Sequence, residues 1–430
     1  MTDIKEPAGI AEELTPAAAA EADQALAPEL VATSLADYLR GTVARVKGGD
    51  SGVLPVVGGL LLISILFQTL NSHFLTAGNL VNLLIQGAVY MLLAMGEVYA
   101  LLLGEIDLSI GFVSGIGGIV TAELVKESNG WPWWAAILAG LVACALIGAS
   151  HGTIITRVGL PSFVVTLAGL LGWQGVMLLI LGKGGSLPIN NNVINDLASG
   201  NLTATASWIV MLAIVAAFGL RTWVRESRRR ASGLVAPPAS LTLLKIGGAL
   251  AAGIIVVLIS NTNRGRGVVT IRGLPWVVLI VLGVLTMWTV LLGRTKFGRY
   301  MYAIGGNAEA ARRAGVNLAL IRTMAFTLAS FTAGIAGVIY ASRLRSVSTA
   351  LDGGTLVLYA VAAAVIGGTS LFGGRGKAMH AVLGGLVIAA IDNGMGLQGY
   401  SAAAKYVVTA LVLLAAVTID SLARRGRVGR

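Results

Sequence analysis

Two carboxylates and a hydroxyl stand at alternate positions in Gly104-Glu105-Ile106-Asp107-Leu108-Ser109-Ile110-Gly111, a short link between two long apolar runs. A charge at the centre of a bilayer costs roughly 2.5–3.5 kcal/mol on insertion scales, so side chains of this kind are kept for a purpose. Three chemistries suit Glu105, Asp107 and Ser109. Asp107 or Ser109 can cap the following helix by accepting from its free N–H groups. The carboxylates can touch a polar cargo, or they can pass a proton or an ion along a broken helix. The link carries no Lys or Arg and is too short for an exposed loop. It is expected to be a break buried in a helix bundle.

Three further segments carry comparable signals. Asp392-Asn393-Gly394-Met395 closes an apolar run, where Asp392 and Asn393 can face a pathway or cap a helix end. Val365 to Gly376 is a glycine-rich hairpin around Gly367-Gly368-Thr369-Ser370; close backbone approach or a re-entrant turn explains its glycines. The loop Arg294–Leu320 contains Ala308–Ala314, a stretch of strong helix formers with Glu309, Arg312 and Arg313, between Gly305-Gly306 and Gly315. A short helix between glycine hinges at a membrane surface can transmit a push from a soluble partner. A solvated amphipathic connector fits the same residues.

The elements that must position these groups follow from composition. The chain has 430 residues, 56% apolar and only 12% charged. Soluble proteins average about 25% charged residues, so this is an integral membrane protein. The 57 glycines suit close helix approach in lipid, where no hydrophobic drive brings helices together. A span needs about 20 mostly apolar residues. Twelve segments qualify or come near: Val53–Leu70, Leu80–Leu103, Ser109–Leu124, Trp133–Ile155, Phe163–Leu181, Ser207–Val224, Leu243–Ile259, Leu274–Leu292, Ile321–Ala341, Thr355–Ile366, Ala378–Ile391 and Tyr406–Ile419. The fold expected is an all-α, polytopic transmembrane bundle, with the short pair Thr355–Ile366 and Ala378–Ile391 as half-helices or re-entrant pieces.

The net charge of +11 sits at the ends of the apolar runs, as a topology signal does, and does not point to nucleic acid. Arg221–Arg230, Arg294–Arg313 and the tail from Arg424 to Arg430 fall on one side when the span number is even, with both termini cytoplasmic. Arg264, Arg266, Arg272, Arg343 and Arg345 break that rule. Residues 1–50 read as a loosely structured cytoplasmic tail rather than a signal peptide, residues 51–421 as the transmembrane domain and residues 422–430 as a basic tail. The loop Gly182–Thr205, with Asn190-Asn191-Asn192, reads as a polar cap or a partner surface, and Arg225–Ser240 as a flexible connection.

Enzyme and metal signatures are missing. Lys183 is followed by Gly and Lys377 by Ala, so no phosphate-binding Gly-xxxx-Gly-Lys-Ser/Thr loop is present. There is no nucleophile elbow, and Cys144, His73, His151 and His380 have no metal-ligand spacing. Any ATP and Mg used by the system would bind another chain.

With these segments in view, the chain resembles the permease subunit of bacterial ATP-binding-cassette sugar importers of the ribose/xylose type. The resemblance rests on Glu105 to Gly111, Pro161 to Gly169, Phe297-Gly298-Arg299 with Tyr302 to Asn307, Val365 to Leu371, and Asp392 to Met395, in one collinear order. The extra helix pair around Ser207–Ile259 looks like the longer xylose-type branch, added to a core of ten helices. The acidic, Ala-rich N-terminal tail and the hairpin residues Phe372 and Arg375 depart from the family pattern. The resemblance implies a homodimer importing a monosaccharide across the bacterial plasma membrane. D-xylose is the cargo it points to, with ribose, galactose, another small polyol or a signalling molecule as alternatives and branched-chain amino acids further off. It also implies a cytoplasmic ATPase partner and an extracytoplasmic sugar-binding protein. Asn307–Val316, with Asn307, Glu309, Ala310, Arg312, Arg313 and Gly315, would be the coupling helix held by the ATPase.

Overall fold

Each of the twelve apolar segments forms a helix in the computed structural model, which describes residues 54–428 apart from positions 235, 266–268 and 350, together with residues 37, 38, 40 and 41. Apart from residues 37, 38, 40 and 41, the expected N-terminal tail lies outside the described residues, as does Arg266. The helices are α1 (Leu54–Leu70), α2 (Ala77–Leu102), α3 (Ile110–Val125), α4 (Trp133–Thr153), α5 (Ser162–Leu181), α6 (Asn192–Ser199), α7 (Ala204–Ala231), α8 (Ala239–Asn261), α9 (Trp276–Arg294), α10 (Lys296–Gly306), α11 (Ala308–Arg313), α12 (Leu318–Leu344), α13 (Gly353–Ile366), α14 (Ala378–Leu397) and α15 (Ala402–Val428). Among the described residues eight helices are long and apolar enough to cross a membrane, and α1, α3, α13 and the apolar part of α15 are shorter. Two three-residue strands, β1 (Ser186–Pro188) and β2 (Ser346–Ser348), pair antiparallel with Leu187 opposite Val347.

Residues Gly52–Trp208 and Val256–Arg430 form one compact unit. Its axis is α2, buried continuously from Gly87 to Leu102. α12 packs against α2, α3 and α4. Small residues set these crossings: a Cβ on Gly337 would lie 1.7 Å from the Ser114 carbonyl oxygen, so α12 and α3 touch backbone to backbone there. Cys144 is fully buried in this seam, its Sγ 3.3 Å from the Val113 oxygen, which is the place of a small core residue.

The unit has two distinguishable ends. At one lie the α2–α3 break, the hairpin after α13, and α10 with α11. At the other lie the α1–α2 turn, the end of α14 and the strand pair; Asn71 Nδ2 donates to Leu397 O at 3.2 Å, and Ile189 N to Arg345 O at 2.9 Å. The loop expected as a polar cap here is partly structured. Asn191 caps α6 by accepting from Ile194 N at 3.1 Å, and Ser342 Oγ of α12 bridges Ala198 N and Asn195 O at 2.9 and 3.0 Å. Arg264, one exception to the charge rule, is consumed locally. It donates to Ser260 O, Asn201 Oδ1 and Gly273 O at 2.5, 2.8 and 3.0 Å, fastening the start of α9's approach rather than signalling topology.

The segment Ile209–Ile255, the bulk of α7 and α8, belongs to a second unit. Gly253 lets α8 rest on Met211, and Glu226 accepts from Thr242 Oγ1 while its carboxylate lies 3.7 Å from Arg230.

Two expectations change. α14 does not stop at Ile391; it runs 20 residues through Asp392-Asn393-Gly394-Met395, so it is no half-helix and these residues are not its cap. Gly394 does not end the helix because its bare Cα faces the Phe67 ring, where a Cβ would lie 2.3 Å from Cγ. Gly305 and Gly306 are not a flexible hinge but the last residues of α10.

Candidate functional site

The α2–α3 break is held by a buried polar chain. Asp107 and Ser109 have no exposed surface, nor does Glu97 on α2. Asp107 N donates to Glu97 Oε1 at 3.1 Å. Asp107 Oδ1 accepts from Ser109 N at 3.0 Å and from Ser109 Oγ at 2.5 Å. Asp107 thus holds the residue at the mouth of α3 rather than the first-turn amides, and Ser109 makes no side-chain cap bond of its own. Ser109 Oγ lies 3.3 Å from His151 Nδ1 on α4, and Trp173 Nε1 on α5 donates to His151 Nε2 at 3.2 Å. Indole N–H is donor only, so Nε2 is the acceptor and the imidazole proton sits on Nδ1. The order Asp–Ser–His is not that of a nucleophilic triad, since the carboxylate holds the hydroxyl and not the imidazole.

Glu105 is set apart from this chain. Its Oε1 lies 3.2 Å from Arg322 Nε, one turn into α12 and just past α11. The side chains are 12% and 31% exposed, so the pair is shielded but not sealed.

The glycine-rich hairpin closes over the same end. Gly368, Gly373 and Gly374 have φ of +108°, +85° and +72°, which only glycine adopts freely. Gly374 N donates to Leu102 O at 2.9 Å, the last residue of α2, and Tyr302 OH of α10 donates to Gly376 O at 2.7 Å. Thr369 and Ser370 are 2% exposed, inside the turn, and Gly367 packs on the His380 carbonyl. A Cβ on Gly305 would strike Leu102 O at 1.8 Å and Gly374 N at 2.4 Å. Gly305 is therefore the contact at which α10, the break and the hairpin meet.

α10 follows from its residues. Thr295 Oγ1 accepts from Gly298 N at 3.2 Å, and Phe297, Met301 and Ile304 bury one face at helical spacing. Asn307 then leaves helical geometry and caps α11, its Oδ1 accepting from Ala310 N at 2.9 Å. Only Ala311 of α11 is buried; Glu309, Ala310, Arg312, Arg313 and Gly315 are exposed, and Gly315 ends the turn at φ +82°. Arg312 and Arg313 pair with Glu309 at 2.8 and 3.0 Å.

Those two guanidinium groups hold the Glu309 carboxyl below the ordinary glutamate range. Because the folded pKa is the lower one, its support of α11 is complete above the ordinary range and is lost as pH falls through the folded value. Amide exchange at Ala310–Ala314, corrected for intrinsic rates, is expected to show protection falling from pH 7 towards acid in the parent. In Glu309→Gln it should be lower at pH 7 and flat, meeting the parent in acid. Equal pH dependence in both proteins would refute the assignment.

The opposite end holds the remaining candidates. Asp392 Oδ1 accepts from Lys405 Nζ at 2.8 Å, and its Oδ2 accepts from Tyr90 OH at 2.8 Å and from Gln86 Nε2. Asn393 and Asn79 exchange amide hydrogen bonds at 2.8 and 3.0 Å. Asp392 and Asn393 are thus far along the chain and along the bundle from Glu105, Asp107 and Ser109. The two groups share no contact, but α2 joins them. Among the described residues no group of His, Cys, Asp and Glu is placed to hold a metal ion.

The pattern of one protein family, described as "Branched-chain amino acid transport system / permease component", matches residues 79–417. The chain belongs to this family of transport permeases. It is 36% identical over 387 residues to the xylose transport system permease protein XylH of Escherichia coli K12, covering 88% of this chain and 96% of the relative. XylH of Haemophilus influenzae is 34% identical over 81% of this chain and 90% of its own length. The ribose import permease protein RbsC of Escherichia coli K12 is 30% identical over 84% and 91%. No solved structure matches the chain. Membership makes the chain a multi-pass membrane transporter subunit rather than an enzyme, and the polar groups above are to be read as parts of a transport machine.

Proposed function

We propose that the chain is the membrane-spanning subunit of an ATP-driven importer that carries D-xylose inward, working as two copies with a cytoplasmic ATPase and an extracytoplasmic sugar-binding protein. The observation that carries the cargo is the 36% identity to a xylose permease across 88% of the chain, against 30% for a ribose permease. On this reading the end bearing the break, the hairpin and α11 faces the cytoplasm, and with it both termini. α11 is the handle: it is exposed, capped at Asn307, and joined through α10 and Gly305 to the hairpin and the end of α2. A push on it reaches the break by two routes, the Gly305 contact and the Glu105–Arg322 pair. Glu105 lies against Arg322 and Asp107 holds Ser109, so on this reading both carboxylates serve the break itself.

The test is uptake of labelled xylose in cells with and without the gene, with unlabelled ribose, arabinose and galactose as competitors. Gene-dependent uptake competed by xylose alone is the expected result. Gene-dependent uptake of another sugar would move the cargo within the same architecture. Uptake abolished by a protonophore while ATP stays high would overturn the ATP-driven reading.

A further inference from the structure

α2 is apolar over most of its length but carries Asn79, Gln86, Tyr90 and Glu97, spaced by seven, four and seven residues. With 3.6 residues per turn these four fall within about 20° of a single line along the helix. The first three span about 16 Å of axis and turn to α14: Asn79 to Asn393, Gln86 and Tyr90 to Asp392. Lys405 of α15 completes the shell of Asp392. Tyr359 stands edge-on to Tyr90, ring centroids 5.2 Å apart, and lies within electrostatic reach of Asp392.

This is more than helix packing requires. A single amide pair such as Asn79–Asn393 suffices to join two helices. Here an amide, a phenol and an ammonium converge on one carboxylate, with a second aromatic ring alongside. The Asp392 and Lys405 side chains remain 12% and 24% exposed, so the cluster is not sealed, unlike fully buried Asp107. A polyol offers hydroxyls that both donate and accept, and so can replace each of these contacts in turn while a ring shields the sugar's C–H face.

We propose that Gln86, Tyr90, Asp392 and Lys405, beside the Tyr359 ring, form a polyol-binding subsite through which the sugar enters the permease, its hydroxyls exchanging with the side-chain bonds to Asp392. The inference rests on the sugar-importer reading above. The subsite is weak by design, because the donors already satisfy the carboxylate in its empty state and the cargo must leave again.

The test uses the full complex in proteoliposomes with sugar-loaded binding protein, and reads D-xylose moved per ATP hydrolysed and the preference for xylose over an analogue lacking one hydroxyl. Asp392→Asn is expected to lower sugar moved per ATP by on the order of tenfold, the worth of a hydrogen bond to a charged group. Tyr90→Phe, which removes one oxygen, should shift both readouts in the same direction while the complex still hydrolyses ATP. Parent values for both variants would overturn the subsite and leave the importer reading standing. So would a Tyr90→Phe loss of transport matched by equal losses of ATP hydrolysis and unfolding midpoint, which marks a purely structural contact. A parent complex that hydrolyses ATP but moves no sugar would refute the importer reading itself.

Discussion

Arg312→Glu is expected to leave the permease folded and to cut sugar uptake by on the order of 5- to 150-fold, the range of a lost coupling free energy of about 1–3 kcal/mol. Arg312 is exposed on α11, and its partner Glu309 keeps Arg313. The variant places like charges three residues apart, which costs a few tenths of a kcal/mol on an exposed helix. Ala311 stays buried and Asn307 still caps, so α11 persists. What changes is the sign of the charge offered to a partner. If α11 is the handle, ATP hydrolysis continues or rises while transport falls, and the ratio of the two separates this from a folding defect. Arg312→Gln should be milder, since it removes charge without reversing it. Uptake equal to the parent in Arg312→Glu, at equal membrane abundance, would mean that the ATPase grips elsewhere.

The spans were legible because lipid leaves little choice: every backbone polar group must be satisfied within the segment, so apolar runs of sufficient length become helices. What was not legible depended on tertiary neighbours. The end of α14 is not legible because polar Asp392-Asn393 closes its apolar run; only the Phe67 ring against Gly394 shows that the helix continues through a packing glycine. α10 lies inside a basic loop, where Thr295 three residues before Gly298 and the spacing of Phe297, Met301 and Ile304 are its only announcement. Glu105, Asp107 and Ser109 stood out as polar residues between apolar runs, but their partners did not. Arg322 lies 217 positions on, and His151 looked like one of three scattered histidines. Glu97 was hidden as one carboxylate in a 26-residue helix, and the spacing from Asn79 through Gln86 and Tyr90 was the signal that would have found it. That same line joins the two ends. A polar residue that is costly alone in a bilayer becomes tolerable when each finds a partner on a neighbouring helix, and the partners then record which helices must stay in register.

Asp107→Ala is expected to destabilise the protein by about 2–5 kcal/mol, because it strips acceptors from two buried donors at once. Asp107 Oδ1 serves both Ser109 N and Ser109 Oγ, in a place with no exposed surface. Ser109 cannot turn its hydroxyl to His151 instead. Trp173 occupies Nε2 as a donor, so Nδ1 carries the proton and needs an acceptor itself. The Ser109 hydroxyl can accept from the imidazole, but its own hydrogen and the Ser109 amide are left unpaired at the mouth of α3. Asp107→Asn keeps an oxygen at Oδ1 and should cost far less, though its amide hydrogens must then face the site of Oδ2, which has no hydrogen-bond partner. Unfolding in detergent with both variants compares the loss of the acceptor with the loss of the charge. If Asp107→Ala unfolds with the parent, the chain from Glu97 to Trp173 does not hold the break. If Asp107→Asn is stable yet transports poorly, the carboxylate contributes its charge to the working cycle as well as its oxygen to the fold.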